Sequence, residues 1–137
     1  MLPTNLNTNE VKNSAGTEVE FSRLSTLDRS VTFAQVSETP NLPHRLKVSH
    51  LETGTGTALR RRSVARFDKT VTGASGAPRT ISAYAVLDIP QGDIGALSEV
   101  ANVVAELNSF LSTTGAGTTV LFDGTGYGTA ALINGSL

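Results

Sequence analysis

Residues 45–69 read RLKVSHLETGTGTALRRRSVARFDK, and this stretch decides the fold. Its first arm, residues 45–52, and the second, residues 59–71, alternate basic side chains with apolar or small ones, and Gly54-Thr55-Gly56 lies between them. A period of two is that of a β-strand, in which successive side chains point to opposite faces of the sheet. The stretch therefore predicts a β-hairpin with one basic face and one face of apolar or small residues.

The same alternation continues on both sides of this hairpin. It predicts strands at Thr17–Leu24, Val31–Val36 and Thr80–Ile89, and a weaker strand at Asn5–Val11 that a turn at residues 13–16 joins to the next one. We therefore expect six or so antiparallel strands before Pro90.

Apolar residues recur at helical spacing after Pro90. Asp93 is the predicted N-cap of a long helix and Gly115 its predicted end, and a shorter helix is predicted to begin near Thr118. The apolar stripe of the long helix, which we expect to serve in dimer and helix packing, comprises Leu97, Val100, Val103, Val104, Leu107 and Leu111.

Strands followed by helices predict an α+β fold. We expect one domain over residues 1–137, with an N-terminal β-hairpin at 1–24, an antiparallel sheet at 29–89 and a helical region at 93–134. One amphipathic helix covers only part of such a sheet, and aromatic residues, which carry much of a core's buried area, make up only 5% of the chain. These observations predict an obligate homodimer in which each chain sends its helices across the sheet of the other.

The composition excludes several classes of site. The chain has no cysteine, which excludes disulfides, cysteine-ligated zinc and a thiol nucleophile. His44 and His50 have no third ligand nearby in sequence, and no acid, base and nucleophile form a catalytic set, so we predict no metal, no cofactor and no enzymatic activity. The glycines of residues 123–128 follow a predicted helix and precede no lysine, so they indicate a flexible tail rather than a phosphate loop. The N-terminus lacks the features of a signal peptide and no apolar run approaches a membrane span, so we expect a soluble cytoplasmic protein.

The net charge of −1 conceals a segregation of charge along the chain. Residues 45–69 carry seven basic and two acidic residues, whereas residues 90–137 carry four acidic residues and no basic one. On the predicted strands, the bases of the hairpin lie on one face together with Tyr84. A cationic sheet with an aromatic ring suits RNA, because lysine and arginine side chains pair with phosphates and tyrosine can stack on an unpaired nucleobase. The alternative is a solvated sheet face with an incidental cluster of charge.

The order of these features resembles the coat proteins of single-stranded RNA bacteriophages, the leviviruses. The stretches that carry the resemblance are RSVTFAQVSETPNLPHRLKVS (29–49), RRRSVARF (60–67), AYAVLDI (83–89) and EVANVVAELNSFLS (99–112). The resemblance implies an N-terminal hairpin, a five-stranded antiparallel sheet and two C-terminal helices, which interlock in a dimer with a continuous sheet.

The resemblance also implies a function. Dimers of such proteins assemble in the bacterial host cytoplasm into a T=3 icosahedral capsid, the shell of the virion, which packages single-stranded genomic RNA against the inner sheet face. Many also bind an RNA hairpin and repress translation. The matching RNA-binding positions in this sequence are Arg45, Lys47, Ser49, Arg60, Arg62, Val64, Arg66, Tyr84, Val86 and Asp88.

The leading hypothesis is thus a viral structural protein with RNA and a second copy of itself as partners, and no membrane. The alternative is a dimeric, sheet-based regulatory protein that binds RNA without forming shells. Protection of bound RNA from nuclease distinguishes the two, because a shell encloses its RNA and a free dimer does not.

Overall fold

The computed structural model describes residues 1–136. The chain divides into two compact units: a sheet unit of residues 1–11 and 18–94, and a helical unit of residues 12–17 together with the chain from Gly95 onward. Each unit is described by itself below. The single domain expected over residues 1–137 stays a prediction.

Within the described chain, the strands of the sheet unit form one antiparallel sheet of six strands in sequence order. This confirms the α+β class and the six or so strands that the alternation predicts. It exceeds by one the five-stranded sheet that the resemblance implies, because the first strand of the N-terminal hairpin pairs onto the same sheet through Leu6 and Phe21. The strands are β1 (Asn5–Leu6), β2 (Phe21–Leu27), β3 (Ser30–Gln35), β4 (His44–Thr53), β5 (Arg60–Thr72) and β6 (Pro78–Ile89).

The N-terminal strands are shorter or later than the alternation predicts. The strand expected over Asn5–Val11 is confined to residues 5–6, and the next strand begins at Phe21 instead of Thr17. The register between β2 and β3 shifts between Arg23 and Ser25, so Leu24 occupies a β-bulge. A bulge adds one residue to a strand and leaves it unpaired, which explains why Leu24 breaks the period of two.

The core of the sheet unit lies on one face of β1 to β4. Leu6, Phe21, Phe33 and Leu46 are buried there, and Phe21 and Phe33 are fully enclosed. The His44 ring packs edge-on against Phe21, with 5.0 Å between ring centroids. Burial holds the pKa of His44 below its ordinary value, because a charged imidazolium loses solvation there, and the charge of Lys69 acts in the same direction.

The long helix, α1, spans Leu97–Ser112 and begins later than predicted. Asp93, the expected N-cap, ends a short 3₁₀ turn at residues 91–93, and Ala96 occupies the N-cap. The reason lies at Gly92, whose N–H donates to the carbonyl of Leu59 at 2.8 Å. A Cβ on Gly92 would lie 2.0 Å from the Gly56 oxygen, so this segment is held against the β4–β5 turn and cannot yet coil into the helix.

The second helix, α2, spans Tyr127–Asn134, and the prediction of a helix near Thr118 is wrong. Residues 118–126 are not helical, and Val120 instead forms a bridge with Thr113. The glycines expected in a flexible tail are packed: a Cβ on Gly126 would lie 2.2 Å from the Leu111 oxygen, and one on Gly128 would lie 2.5 Å from the Phe110 oxygen. These glycines let α2 approach the C-terminal end of α1 closely.

The apolar stripe of α1 is unevenly covered. Val100, Val104 and Leu111 are half-buried, whereas Leu97, Val103 and Leu107 are exposed. In residues 1–136, neither helix has both the length and the apolar character needed to cross a membrane.

Candidate nucleic-acid interface

The register of the three longest strands brings the sequence-predicted RNA-binding residues onto one face. In an antiparallel pair, directly opposite residues point to the same side. Lys47 lies opposite Arg66, which lies opposite Tyr84, and Arg62 lies opposite Asp88. All ten predicted positions share this side of β4, β5 and β6, which we call the basic face: Arg45, Lys47, Ser49, Arg60, Arg62, Val64, Arg66, Tyr84, Val86 and Asp88. Their binding of RNA stays a prediction.

The face is less cationic than its sequence indicates, because three of its arginines are paired with carboxylates. Arg60 Nε lies 3.0 Å from Asp88 Oδ1, and Arg66 Nε lies 2.9 Å from Asp68 Oδ2. Arg45 pairs with Glu38, which precedes β4. The Arg60 and Arg66 pairs are exposed enough to contribute little to stability, but each of the three pairs offsets a charge that would otherwise attract a polyanion.

Lys47 and Arg62 differ from these three arginines. Within residues 1–136, neither side chain is in an ion pair, and both are exposed. Lysine and arginine side chains that are free of carboxylates can replace counterions at RNA phosphates without first breaking an internal contact. These two residues are therefore the best candidates on the face for direct phosphate contacts.

Tyr84 supplies the aromatic surface. Its side chain is 64% exposed, and the guanidinium carbon of Arg66 lies 5.7 Å from its ring centroid. A tyrosine ring in this setting can stack on an unpaired base, and the adjacent guanidinium strengthens binding to a base or a phosphate next to it.

An apolar row separates the two charged ends of the face. Val64 lies opposite both Ser49 and Val86, and Leu51 lies opposite Arg62. Val86 and Leu51 are exposed. The side chains of Val64, Val86 and Leu51 can contact sugars and bases but cannot accept or donate a hydrogen bond, so they offer shape instead of hydrogen-bonded base recognition.

Sequence reasoning missed Asp68 and Ser82 on this face. Ser82 lies opposite Asp68, and its hydroxyl donates a short hydrogen bond to that carboxylate. The hydrogen bond from Ser82 is the largest cause of the lowered pKa of Asp68, and Arg66 adds to the lowering. The signal was present in part, since Arg66 and Asp68 are two apart and share a strand face, but the position of Ser82 depends on the register of β5 with β6.

Each histidine lies within hydrogen-bond distance of a neighbouring polar side chain. His44 Nδ1 lies 3.0 Å from Gln35 Oε1, and His50 Nδ1 lies 2.8 Å from Ser63 Oγ. No group of three or more histidine, cysteine or acidic side chains that could hold a metal ion occurs in the part of the chain that the structure describes.

Comparison with solved structures finds the same fold in phage coat proteins. No protein-family model and no curated protein matches this chain. The coat protein of bacteriophage EMS014 superposes with a TM-score of 0.66 over 87% of both chains, at 13% sequence identity. The virus-like particle protein of bacteriophage AVE015 gives 0.56 at 11% identity, covering 85% of this chain and 80% of its own. That of Beihai levi-like virus 32 gives 0.53 at 23% identity, covering 68% and 75%.

These likenesses agree with the resemblance that the sequence shows. At such low identities they establish the fold and leave the role of each side chain to be argued from its chemistry. The chain has the α+β fold of levi-like phage coat proteins.

Proposed function

We propose that this protein is a structural coat subunit that assembles into a shell around single-stranded RNA, with the basic face toward the RNA. The observation that carries the proposal is the basic face itself, where Lys47 and Arg62, in no ion pair within residues 1–136, accompany an exposed Tyr84 on a sheet with the coat-protein fold. Cations for phosphates and a ring for a base are what a single-stranded RNA partner requires. The role is structural and includes no enzymatic step.

The building block of the shell is an interlocked homodimer. Strand β6 is the last in the sheet order, so its second edge has no partner strand within the described chain. A long exposed edge is a template for pairing with another strand, and a second β6 would continue the sheet. Ile81 on β6 and Leu97, Val103 and Leu107 on α1 are exposed apolar side chains that an exchange of helices between two chains would cover.

The assembled product is a T=3 icosahedral virion made in the bacterial host cytoplasm. Its RNA cargo is the single-stranded genome, and the same face binds an RNA hairpin whose occupation represses translation. The apolar side chains of Val64, Val86 and Leu51 on the basic face indicate that this hairpin is recognised more by stacking and shape than by hydrogen bonds to base edges.

Expression of the full chain alone in bacteria tests the proposal. We expect electron microscopy to show closed particles, and RNA inside them to survive nuclease until the particles are disrupted. Soluble dimers that bind RNA but leave it accessible to nuclease would contradict the coat-subunit proposal and favour a regulatory RNA-binding protein. A folded monomer that persists at nanomolar concentration in light scattering would contradict the obligate dimer.

A further inference from the structure

The proposed RNA face carries a carboxylate, that of Asp68, which pairs with the arginine that lies over the Tyr84 ring. A negative charge there opposes the binding of a polyanion. We propose that Asp68 is a positioning residue: acting through Arg66, it holds the guanidinium against Tyr84 and so prepares the ring for stacking on an unpaired base. The acid then raises selectivity for single-stranded RNA, although its charge opposes polyanion binding in general. This inference rests on the proposed RNA-binding function and names the residue that sets its specificity.

Three side chains form a closed ring of hydrogen bonds. Arg66 Nε donates to both carboxylate oxygens of Asp68, at 2.9 Å each. Arg66 Nη2 donates to Ser82 Oγ at 3.2 Å, and the Ser82 hydroxyl donates in turn to Asp68. A guanidinium that is fixed at two nitrogens loses most of its rotamer freedom before any RNA binds.

The ring of bonds determines where the guanidinium lies. Its carbon is 5.7 Å from the centroid of Tyr84, within cation–π range. Nη1 is not engaged in the bonds to Asp68 and Ser82, so it remains available for a phosphate next to the stacked base. The Ser82 hydrogen bond and the Arg66 charge act against the effect of desolvation and hold the pKa of Asp68 below its ordinary value, so the carboxylate stays charged at neutral pH.

The second acid on the face provides a contrast. Asp88 accepts one hydrogen bond from Arg60, at 3.0 Å, and both side chains are 51% exposed. Within residues 1–136, the cation–π contacts are those of Arg66 with Tyr84 and of Arg23 with Phe33, so Arg60 contacts no aromatic ring in this way. Asp88 is thus an aspartate of equal charge on the same face that pairs with an arginine but positions no aromatic ring.

The two acids therefore separate charge from positioning. Asp68→Asn and Asp88→Asn each remove one negative charge, so electrostatics alone predicts that both variants bind every RNA more tightly by a similar factor. If Asp68 positions Arg66, the two variants should differ in their affinity for single-stranded RNA but not in their affinity for duplex RNA. Duplex RNA exposes no base face, so it senses only charge, whereas a single strand also senses the stacking surface.

The test uses full-length protein freed of RNA and two labelled probes, a 12-nucleotide adenosine oligomer and a 20-base-pair RNA duplex, in fluorescence anisotropy. We expect Asp88→Asn to increase the affinity for both probes by the same factor, so that the ratio of the two affinities stays unchanged. We expect Asp68→Asn to lower the preference for the single strand by about fivefold or more. In a Tyr84→Ala background, Asp68→Asn should lower this preference no further.

Ser82→Ala provides a second variant that opens the hydrogen-bond ring without altering charge, and it should lower the same preference by a smaller factor. If Asp68→Asn behaves as Asp88→Asn does, or if Ser82→Ala leaves the preference unchanged, the positioning role is overturned while RNA binding stands. If the unmodified protein binds neither probe, the proposed RNA function itself fails.

Discussion

The two ends of the sheet bury their side chains very differently on the same face. At the end formed by β1 to β4, Phe21, Phe33 and Leu46 are buried. Leu46 lies opposite Phe67 on β5, and Phe67 lies opposite Ala83 on β6, which is exposed. Nearby Ile81 is 61% exposed. The chain thus completes a core over β1 to β4, whereas on this face of β6 Ile89 is buried and Ile81 and Ala83 stay exposed.

The opposite side of β4 to β6 adds a second contrast. Buried side chains near β2 and β3 stabilise the folded chain, whereas the exposed cations and Tyr84 of the basic face contribute little to its stability. Substitutions at the first end should therefore change the free energy of unfolding, and substitutions on the basic face should change binding. Four predictions test this division.

The largest expected effect is that of Phe33→Ala. Phe33 is fully buried in the core of the sheet unit, and truncation of such a phenylalanine costs about 3–5 kcal/mol because it removes buried area and leaves a cavity. Urea denaturation followed by circular dichroism measures this loss. Leu24→Ala, at the exposed bulge, is the control and should change the free energy of unfolding far less. Equal losses in the two variants would contradict the location of the core.

Tyr84→Ala should weaken binding to single-stranded RNA by about 1–3 kcal/mol, because it removes one stacking surface. The free energy of unfolding should change little, since the ring is largely exposed. Titration of a labelled RNA oligomer together with urea denaturation measures both quantities. A loss of stability with unchanged affinity would place Tyr84 in a packing role.

Arg62→Ala should weaken binding to all RNAs and reduce the slope of log affinity against log salt concentration by about 1, because one phosphate contact is lost. Arg60→Ala is the matched control: its partner Asp88 already offsets its charge, so the slope should change less. Identical slopes in Arg62→Ala and the unmodified protein would show that Arg62 is solvated in the complex.

The smallest effect concerns pH and His44. Its pKa in the folded chain lies below the ordinary value of 6.5, so below that pH the unfolded chain binds a proton that the folded chain does not. Stability should therefore decrease as the pH falls from 6.5 toward the lowered pKa, and His44→Gln should reduce this decrease. Urea midpoints across this range measure the effect, and parallel curves for the two proteins would contradict it.

The strands of the basic face were largely predictable from the sequence. The predicted bounds of β4 and β5 fall within one residue of those observed, and the predicted position of Tyr84 on the same face as the basic residues of the hairpin matches the register. Alternation is a local property, because side chains on neighbouring residues of a strand must point to opposite faces.

The helical unit was less predictable. The spacing of apolar residues located α1, but Gly92 delays its start through a close contact with Gly56, which is 36 positions earlier in the chain. Glycine spacing indicated a flexible tail, yet Gly126 and Gly128 are packed against α1. A glycine that permits close approach has the same local signature as one that permits flexibility, so the two cannot be distinguished without the partner segment.

The sequence by itself determined the strands, the long helix and which side of the hairpin carries the bases, since these follow from periods of two and 3.6 residues. Only the tertiary structure decided which basic side chains are available to bind phosphates. Arg60 and Arg66 lie in ion pairs with carboxylates, whereas Arg62, between them on the same strand face, is in no ion pair within residues 1–136. The Arg60–Asp88 pair joins β5 to β6 and depends on the register of these strands, which local alternation does not fix. The Arg66–Asp68 pair lies within β5, and the spacing of its two residues is visible in the sequence.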